Sequence, residues 1–594
     1  MHLASLGADE RLLSEKVETV VKRIMANDED MKSLDLRDEC LGNGGKKKEK
    51  ASASASASAS DSASAEYEEM DQGIEILCGA LRESYHLMDL NLCGNHLNDS
   101  DCEMISSALL TNRGLNSLHL AYNLLGDIGA KEIASSLKIH SLAMIDLSYN
   151  NIGRGGGEHF GVMLRKNKTL VELNLGNNVL GDEGGHFLFD SLTTPLYESE
   201  EVMLAKSKIY EEGGEVGDLG EPFNCSLTSL NVSCNGLGQE SAKRLIGVIQ
   251  NNMILCRLNL DYNPNLGHTE AREIASAMRL YNSNLQHLSF SDMNCGNDVA
   301  GAFAKTLLVE NGGLLTRLSF SQNALRSIGV NRLANSLTTN AILKFLDLSR
   351  NPMGSKGCIH VGEALKCNVV LQELNLSCCG IDSEGCEVLR DALKINATLK
   401  VLDLSDNSLL TQGVGYLSEG LGCGKEKGRG LREIDLTNVG LGVRAGEALG
   451  KALEGNLTLE KLVMGSNQIK NQGAKAMAAM LKVNVALRVV DLSFNGISSV
   501  GIKSLLVALN VDFDADGVTN LSMQSMDETI IKDKMKTLGQ MGMKKKDEEV
   551  GYIAHRLTQE QEEQKLETLR NKALELDLIL VGNVYSKADG EVSR

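Results

Sequence analysis

The sequence predicts an α/β fold built as a right-handed solenoid, a horseshoe with a parallel β-sheet on its concave face and helices on its convex face. Three observations carry that prediction. The motif Leu-x-x-Leu-x-Leu-x-x-Asn-x-Leu recurs along most of the 594 residues at a spacing near 28. Within it, Leu-x-Leu alternation turns one side of a short strand inward and the other to water. After it, a glycine and an acidic residue lead into an amphipathic stretch such as 129–138, where Ile133, Ala134 and Leu137 share one helical face.

Counted from the first leucine, the clear units begin at Leu87, Leu115, Leu142, Leu170, Leu227, Leu255, Leu285, Leu315, Leu343, Leu371, Leu399, Leu431, Leu459 and Leu487, mostly 27 or 28 residues apart. Holding that register closes two gaps. Met31 lies 56 residues before Leu87, so a first repeat keeps Leu34, Leu36 and Leu41 and carries an inserted polar loop at 46–65, too rich in Ala and Ser to bury a core and expected to be mobile. Ser199 falls between Leu170 and Leu227 at steps of 29 and 28, with Val202 and Leu204 in strand positions and an acidic, Gly-rich run replacing the helix. A strand without its helix is expected there. About 16 repeats then fill 31–510, preceded by a capping helix in 1–30 and followed by a polar linker, 511–550, and a helix with tail, 551–594.

A strand, a return helix and a parallel neighbouring strand stack into a curved solenoid because helices pack about 10 Å apart while strands pair at roughly 4.8 Å. The asparagines at the ninth place, among them Asn123, Asn178, Asn263, Asn323, Asn351, Asn407, Asn467 and Asn495, offer an amide to the backbone where the chain leaves the strand. They read as structural. Position five is largely Asp or Asn, a scaffold preference that also makes the inner wall negative.

This register resembles the ribonuclease-inhibitor-like class of leucine-rich repeats, which also occurs in the Ran GTPase-activating protein, in NOD-like receptors and in tropomodulin-like proteins. The resemblance covers roughly 31–510 and implies the fold. It leaves function open, since the repeated letters are scaffold.

Composition bounds the rest. A formal net charge of −19 argues against nucleic-acid binding, which needs a basic stripe to displace counterions. No signal peptide and no membrane span are expected, because no apolar run reaches the required length. A cytoplasmic protein is expected, with the nucleus open. The 14 cysteines show no Cys-x-x-Cys; Cys295 and Cys379 occupy repeat positions and read as small buried thiols. No phosphate-binding loop, nucleophile elbow or His-Glu-x-x-His occurs, so neither catalysis, cofactor nor metal is expected.

Function is expected on the exposed strand positions. At position three, consecutive repeats carry Arg257, His287 and Arg317, with Lys344 at position two of the next, and position five changes to Ser289 and Ser319. Such stacked cations point to a partner bearing an acidic or phosphorylated segment. A second group of candidates is aromatic: Tyr122, Tyr149 and Tyr262 at position eight, and Phe345 at position three. The reading is a non-catalytic scaffold, adaptor or regulator that binds a protein partner on the concave face. The resemblance also brings a GTPase activator acting on a small GTPase as the alternative, although residues 511–594 hold 17 acidic and 12 basic side chains, hardly a polyacidic tail. A ribonuclease inhibitor or a fragment of a NOD-like sensor comes further behind.

Overall fold

The computed structural model describes residues 73–193, 226–281, 284–308, 314–423 and 430–509 throughout, together with Asn224, short stretches between 20 and 41, and the backbone of 577–579. The 46–65 loop and the 199–223 segment lie outside the described residues, as do most of the glycine- and lysine-rich run 422–430 and most of 511–594.

The chain divides into two compact units, 1–295 with 309–318 and 296–308 with 319–594. In the first, three-residue strands β1 (Ser33–Asp35), β2 (Asp89–Asn91), β3 (Ser117–His119), β4 (Met144–Asp146), β5 (Glu172–Asn174), β6 (Ser229–Asn231), β7 (Arg257–Asn259) and β8 (His287–Ser289) each pair in parallel with the next. The division falls within β9 (Arg317–Ser319). In the second, β10 (Phe345–Asp347), β11 (Glu373–Asn375), β12 (Val401–Asp403), β13 (Glu433–Asp435), β14 (Lys461–Val463), β15 (Val489–Asp491) and β16 (Asp577–Ile579) repeat the same parallel pairing. A helix returns the chain after each strand from β2 to β15, and consecutive helices within a unit pack on one another. The result in each unit is a parallel sheet backed by helices.

The leucine spine is dry. Leu118, Leu120 and Leu125 of one repeat and Leu346, Leu348 and Leu371 of others are fully buried, as are Ile133 and Leu137 on the helix Asp127–Leu137. Val21 and Ile24, on the short helical stretch before β1, are also buried. Glycine appears where helices meet closely: a Cβ on Gly157 would lie 2.7 Å from the Gly184 backbone of the next repeat.

Three polar ladders hold the repeats in register. In the first, the buried Asn351 amide donates to Leu348 O at 2.9 Å in its own repeat and to Phe320 O at 3.0 Å in the one before. Its Oδ1 accepts from Asn323 N at 2.8 Å and Leu325 N at 3.0 Å. Asn123 does the same with Leu120, Leu92, Asn95 and Leu97. The second ladder, not anticipated from the sequence, sits where each helix ends: Asn368 donates to Leu337 O at 2.7 Å in the preceding repeat and accepts from Val370 N and Leu371 N at 2.9 and 2.7 Å. Its signal is an Asn three residues before the first leucine, as at Asn112, Asn167, Asn224, Asn252, Asn340, Asn396, Asn456 and Asn484. The third explains the acidic residue opening many helices. Asp127 Oδ1 accepts from Gly153 N and Gly156 N at 2.7 and 2.8 Å, so the first turn of one helix caps the next.

Two expectations fail. β5 pairs directly with β6, Glu172 opposite Ser229, so the segment beginning at Ser199 adds no strand between them. The ladders show why: Asn235 donates to Leu175 O at 2.8 Å and Asn224 to Leu164 O at 2.8 Å, bridging straight across. At the other end, 577–579 is a strand against β15 rather than the end of a helix. The overlooked signal is Leu578-x-Leu580-x-x-Asn583, the core of the same motif.

Replacing Asn351 by Ala strips several buried backbone groups of their partner, each worth about 1–3 kcal/mol. The expected loss is at least about 3 kcal/mol in urea unfolding. Cys379 fills the same place with a thiol that donates to Leu348 O at 3.2 Å and accepts from the Asn351 backbone, weaker bonds than an amide makes. Cys379→Asn is therefore expected to raise stability by about 1 kcal/mol in the same measurement.

Candidate protein-binding surface

The exposed strand positions divide into scaffold and surface. Position five is scaffold: Asp146 accepts from Ser148 N, Asn174 from Gly176 N, Asp347 from Ser349 N and Asp403 from Ser405 N, all at 2.9–3.0 Å. Each side chain closes its own turn. Their charge still accumulates on the second unit, where burial, and then the neighbouring Asp403 and Asp491, push the Asp435 carboxyl up.

Ser289 is too short for that bond, and the structure replaces the missing carboxylate from the repeat before. Asp261, at position seven, accepts from Ser291 N at 2.6 Å and from Ser289 Oγ at 2.7 Å. The change at position five thus moves the carboxylate that closes the β8 turn onto Asp261 of the repeat before.

Arg257, His287 and Arg317 occupy the same position on β7, β8 and β9, all within the first unit. Arg257 faces His287 directly in register. Burial, then Arg317 and Arg257, push the His287 imidazole below its ordinary pKa. The three side chains are therefore brought together as expected, but repulsion is relieved in a way the sequence did not reveal. Arg257 forms an ion pair with Glu172, which lies at position three of β5, two strands away across the small Ser229. Both partners are partly exposed. Lys344, exposed at position two, and Phe345, half-buried opposite Glu373, belong to the second unit.

Tyr122 and Tyr149 stack with ring centroids 4.1 Å apart and planes 10° from parallel. They remain 58% and 45% exposed, so the stack is open to solvent. A hydrogen bond with Tyr149 pushes the Tyr122 phenol up, with Asp146 adding to the shift. Position eight has a property invisible in the motif: its backbone is left-handed, with φ of 57° at Tyr122, 54° at Tyr149 and 59° at Tyr262. Asn177, Cys234, Arg350 and Cys378 share it. Such a conformation costs a side-chain-bearing residue about 1–2 kcal/mol. Ladder bonds from Tyr122 N to Ser148 O and from Tyr149 N to Gly176 O hold it in place. Tyr262 is exposed but stands three repeats beyond the stacked pair.

The remaining candidate chemistry is structural. Burial pushes the Cys295 and Cys379 thiols up to about 12, well away from reactivity, while Cys378 is exposed. Among the described residues no group of His, Cys, Asp or Glu side chains is placed to hold a metal ion. No described helix is long and apolar enough to cross a membrane.

The folded pKa of His287 lies below the unfolded value near 6.5, so folding releases its proton and stability falls as pH drops through that value. Arg317→Gln is expected to raise the His287 pKa, read from its ring-proton resonance in an NMR titration. An unchanged midpoint would show that Arg317 is not near enough to act.

The family described as Leucine Rich repeat matches residues 111–134, 166–188, 223–245, 339–361, 367–389, 396–418, 455–478 and 483–506. Human "NACHT, LRR and PYD domains-containing protein 14" is 28% identical over 276 residues, covering 44% of this chain and 22% of that protein. Pig ribonuclease inhibitor is 27% identical over 299 residues, covering 45% of this chain and 65% of the inhibitor. This chain therefore spans less than two thirds of the length of either relative. Among solved structures, TLR13 in its complex with ssRNA13 aligns with a TM-score of 0.39 and 17% identity over 72% of this chain and 59% of that one. The repeats and the ribonuclease inhibitor and NACHT/LRR relatives together support leucine-rich repeats of the ribonuclease-inhibitor-like class.

Proposed function

We propose that this protein is a non-catalytic scaffold, adaptor or regulator that binds a protein partner across the exposed face of its strands, and that Arg257, His287 and Arg317 seat a carboxylate or phosphate group of that partner. The observation that carries the reading is the local reversal of charge. On a chain of net charge −19, Arg257 and Arg317 flank His287 at one position of adjacent strands, where Ser289 and Ser319 replace the usual carboxylates or amides. Glu172 engages Arg257 from the edge of the group, and an incoming anion would compete with it while relieving the charge that depresses His287. Tyr122 and Tyr149 supply rigid aromatic surface elsewhere on the same unit. Tyr262, and on the second unit Lys344 and Phe345, are proposed as separate contacts.

Affinity capture with the whole chain tests this reading. A protein recovered by the native sequence should be lost, or held at least about tenfold more weakly, by the Arg257→Glu, Arg317→Glu double variant, because a like-charge contact replaces an attractive one. Capture that survives both reversals and falls off only with substitutions away from these strands would place the binding surface elsewhere.

A further inference from the structure

The first unit carries a second charged spot of opposite sign, and it lies at the aromatic stack. Both Ser148 bonds to Asp146, at 2.9 and 2.7 Å, fall on Oδ1 of that carboxylate. Ser148 in turn precedes Tyr149 and its carbonyl accepts from Tyr122 N, so Asp146 closes the turn that carries both tyrosines. An exposed aromatic face beside a carboxylate is the environment in which a guanidinium gains both a cation–π contact and an ion pair. His119 and Asp89, 3.5 Å apart on the neighbouring strands, keep the surroundings polar.

We infer that the exposed strand face of the first unit reads a two-ended segment: an arginine stacks on Tyr122 and Tyr149 against Asp146, while an acidic or phosphorylated residue further along the same segment sits on Arg257, His287 and Arg317. The anionic end rests on the function proposed above. Charge complementarity selects the occupant, since a uniformly acidic segment would be repelled at the stack and a uniformly basic one at the cations. Separation sets its length. The stack belongs to β3 and β4, the cations centre on β8, and four to five strand steps of about 4.8 Å with a diagonal offset give roughly 25 Å. An extended chain covers that in about seven or eight residues. The stack is prepared for the task because position eight holds each tyrosine at a fixed left-handed backbone.

The test uses the whole chain and fluorescein-labelled Gly-Ser peptides bearing an arginine, a phosphoserine, or both separated by about four, seven or twelve residues. Anisotropy at low ionic strength should show the seven-residue peptide, which can span the gap, binding about tenfold more tightly than either single-ended peptide or the four-residue one, which cannot, with the twelve-residue peptide close to it. Tyr122→Asn with Tyr149→Asn should reduce the middle-spacing peptide to the level of phosphoserine alone. Asn is the chosen replacement because Asn177 already occupies this position at a φ of 54°. Affinity independent of spacing, or unaffected by the tyrosine changes, would overturn the inference. If phosphoserine alone binds and Arg317→Gln weakens it while arginine adds nothing, the inference fails and the anion seat stands. If arginine alone binds through the tyrosines and phosphoserine contributes nothing, the anion seat and the two-ended reading both fail.

Discussion

The structure depends on giving the buried carbonyls at the exits of most strands a side-chain donor. A strand of three residues cannot satisfy its own turn, and stacking leucines buries that turn away from water. The ninth-place asparagine answers with one side chain that serves two repeats at once, donating to its own Leu348 and to Phe320 before it and accepting two amides of that earlier repeat in the case of Asn351. Register therefore travels from repeat to repeat as a chain of hydrogen bonds. Hydrophobic burial supplies the driving force, and the amide fixes which partner each repeat meets.

The same constraint decides what the chain leaves out of the sheet. Insertions are tolerated wherever the ladders close across their base, as at the join from β5 to β6, where Asn224 and Asn235 reach back to the repeat before. It also frees the outward strand positions. Because the ladders and the leucines secure each repeat, positions three and eight can carry arginine, tyrosine or thiol without a change of fold. The cationic and aromatic groups are surface decoration on a frame that does not need them.

Asp261 shows how frame and surface trade roles. Its carboxylate takes over the turn of the following repeat, so Ser289 can stand at position five with the acid supplied by the repeat before. Beside it, burial and then Arg317 and Arg257 push the His287 imidazole down. Arg257 is then balanced from two strands away by Glu172. None of these exchanges is a pairwise feature of one motif copy.

The sequence by itself determined the repeat, its strand and helix order, the leucine spine and the structural part of the asparagines, because each is a local pattern reporting on a local geometry. It also placed Arg257, His287 and Arg317 on neighbouring strands and Tyr122 beside Tyr149, since a fixed register turns spacing into proximity. Periodicity could not decide whether a damaged copy stays in the sheet, and so the segment at Ser199 was read as a strand and 577–579 as helix. Only the tertiary structure decided the Glu172 partner of Arg257, the substitute role of Asp261 and the left-handed backbone under the tyrosines. Each depends on contacts between residues 26 or more positions apart, where a side chain's partner is set by packing rather than by its own neighbours in the chain.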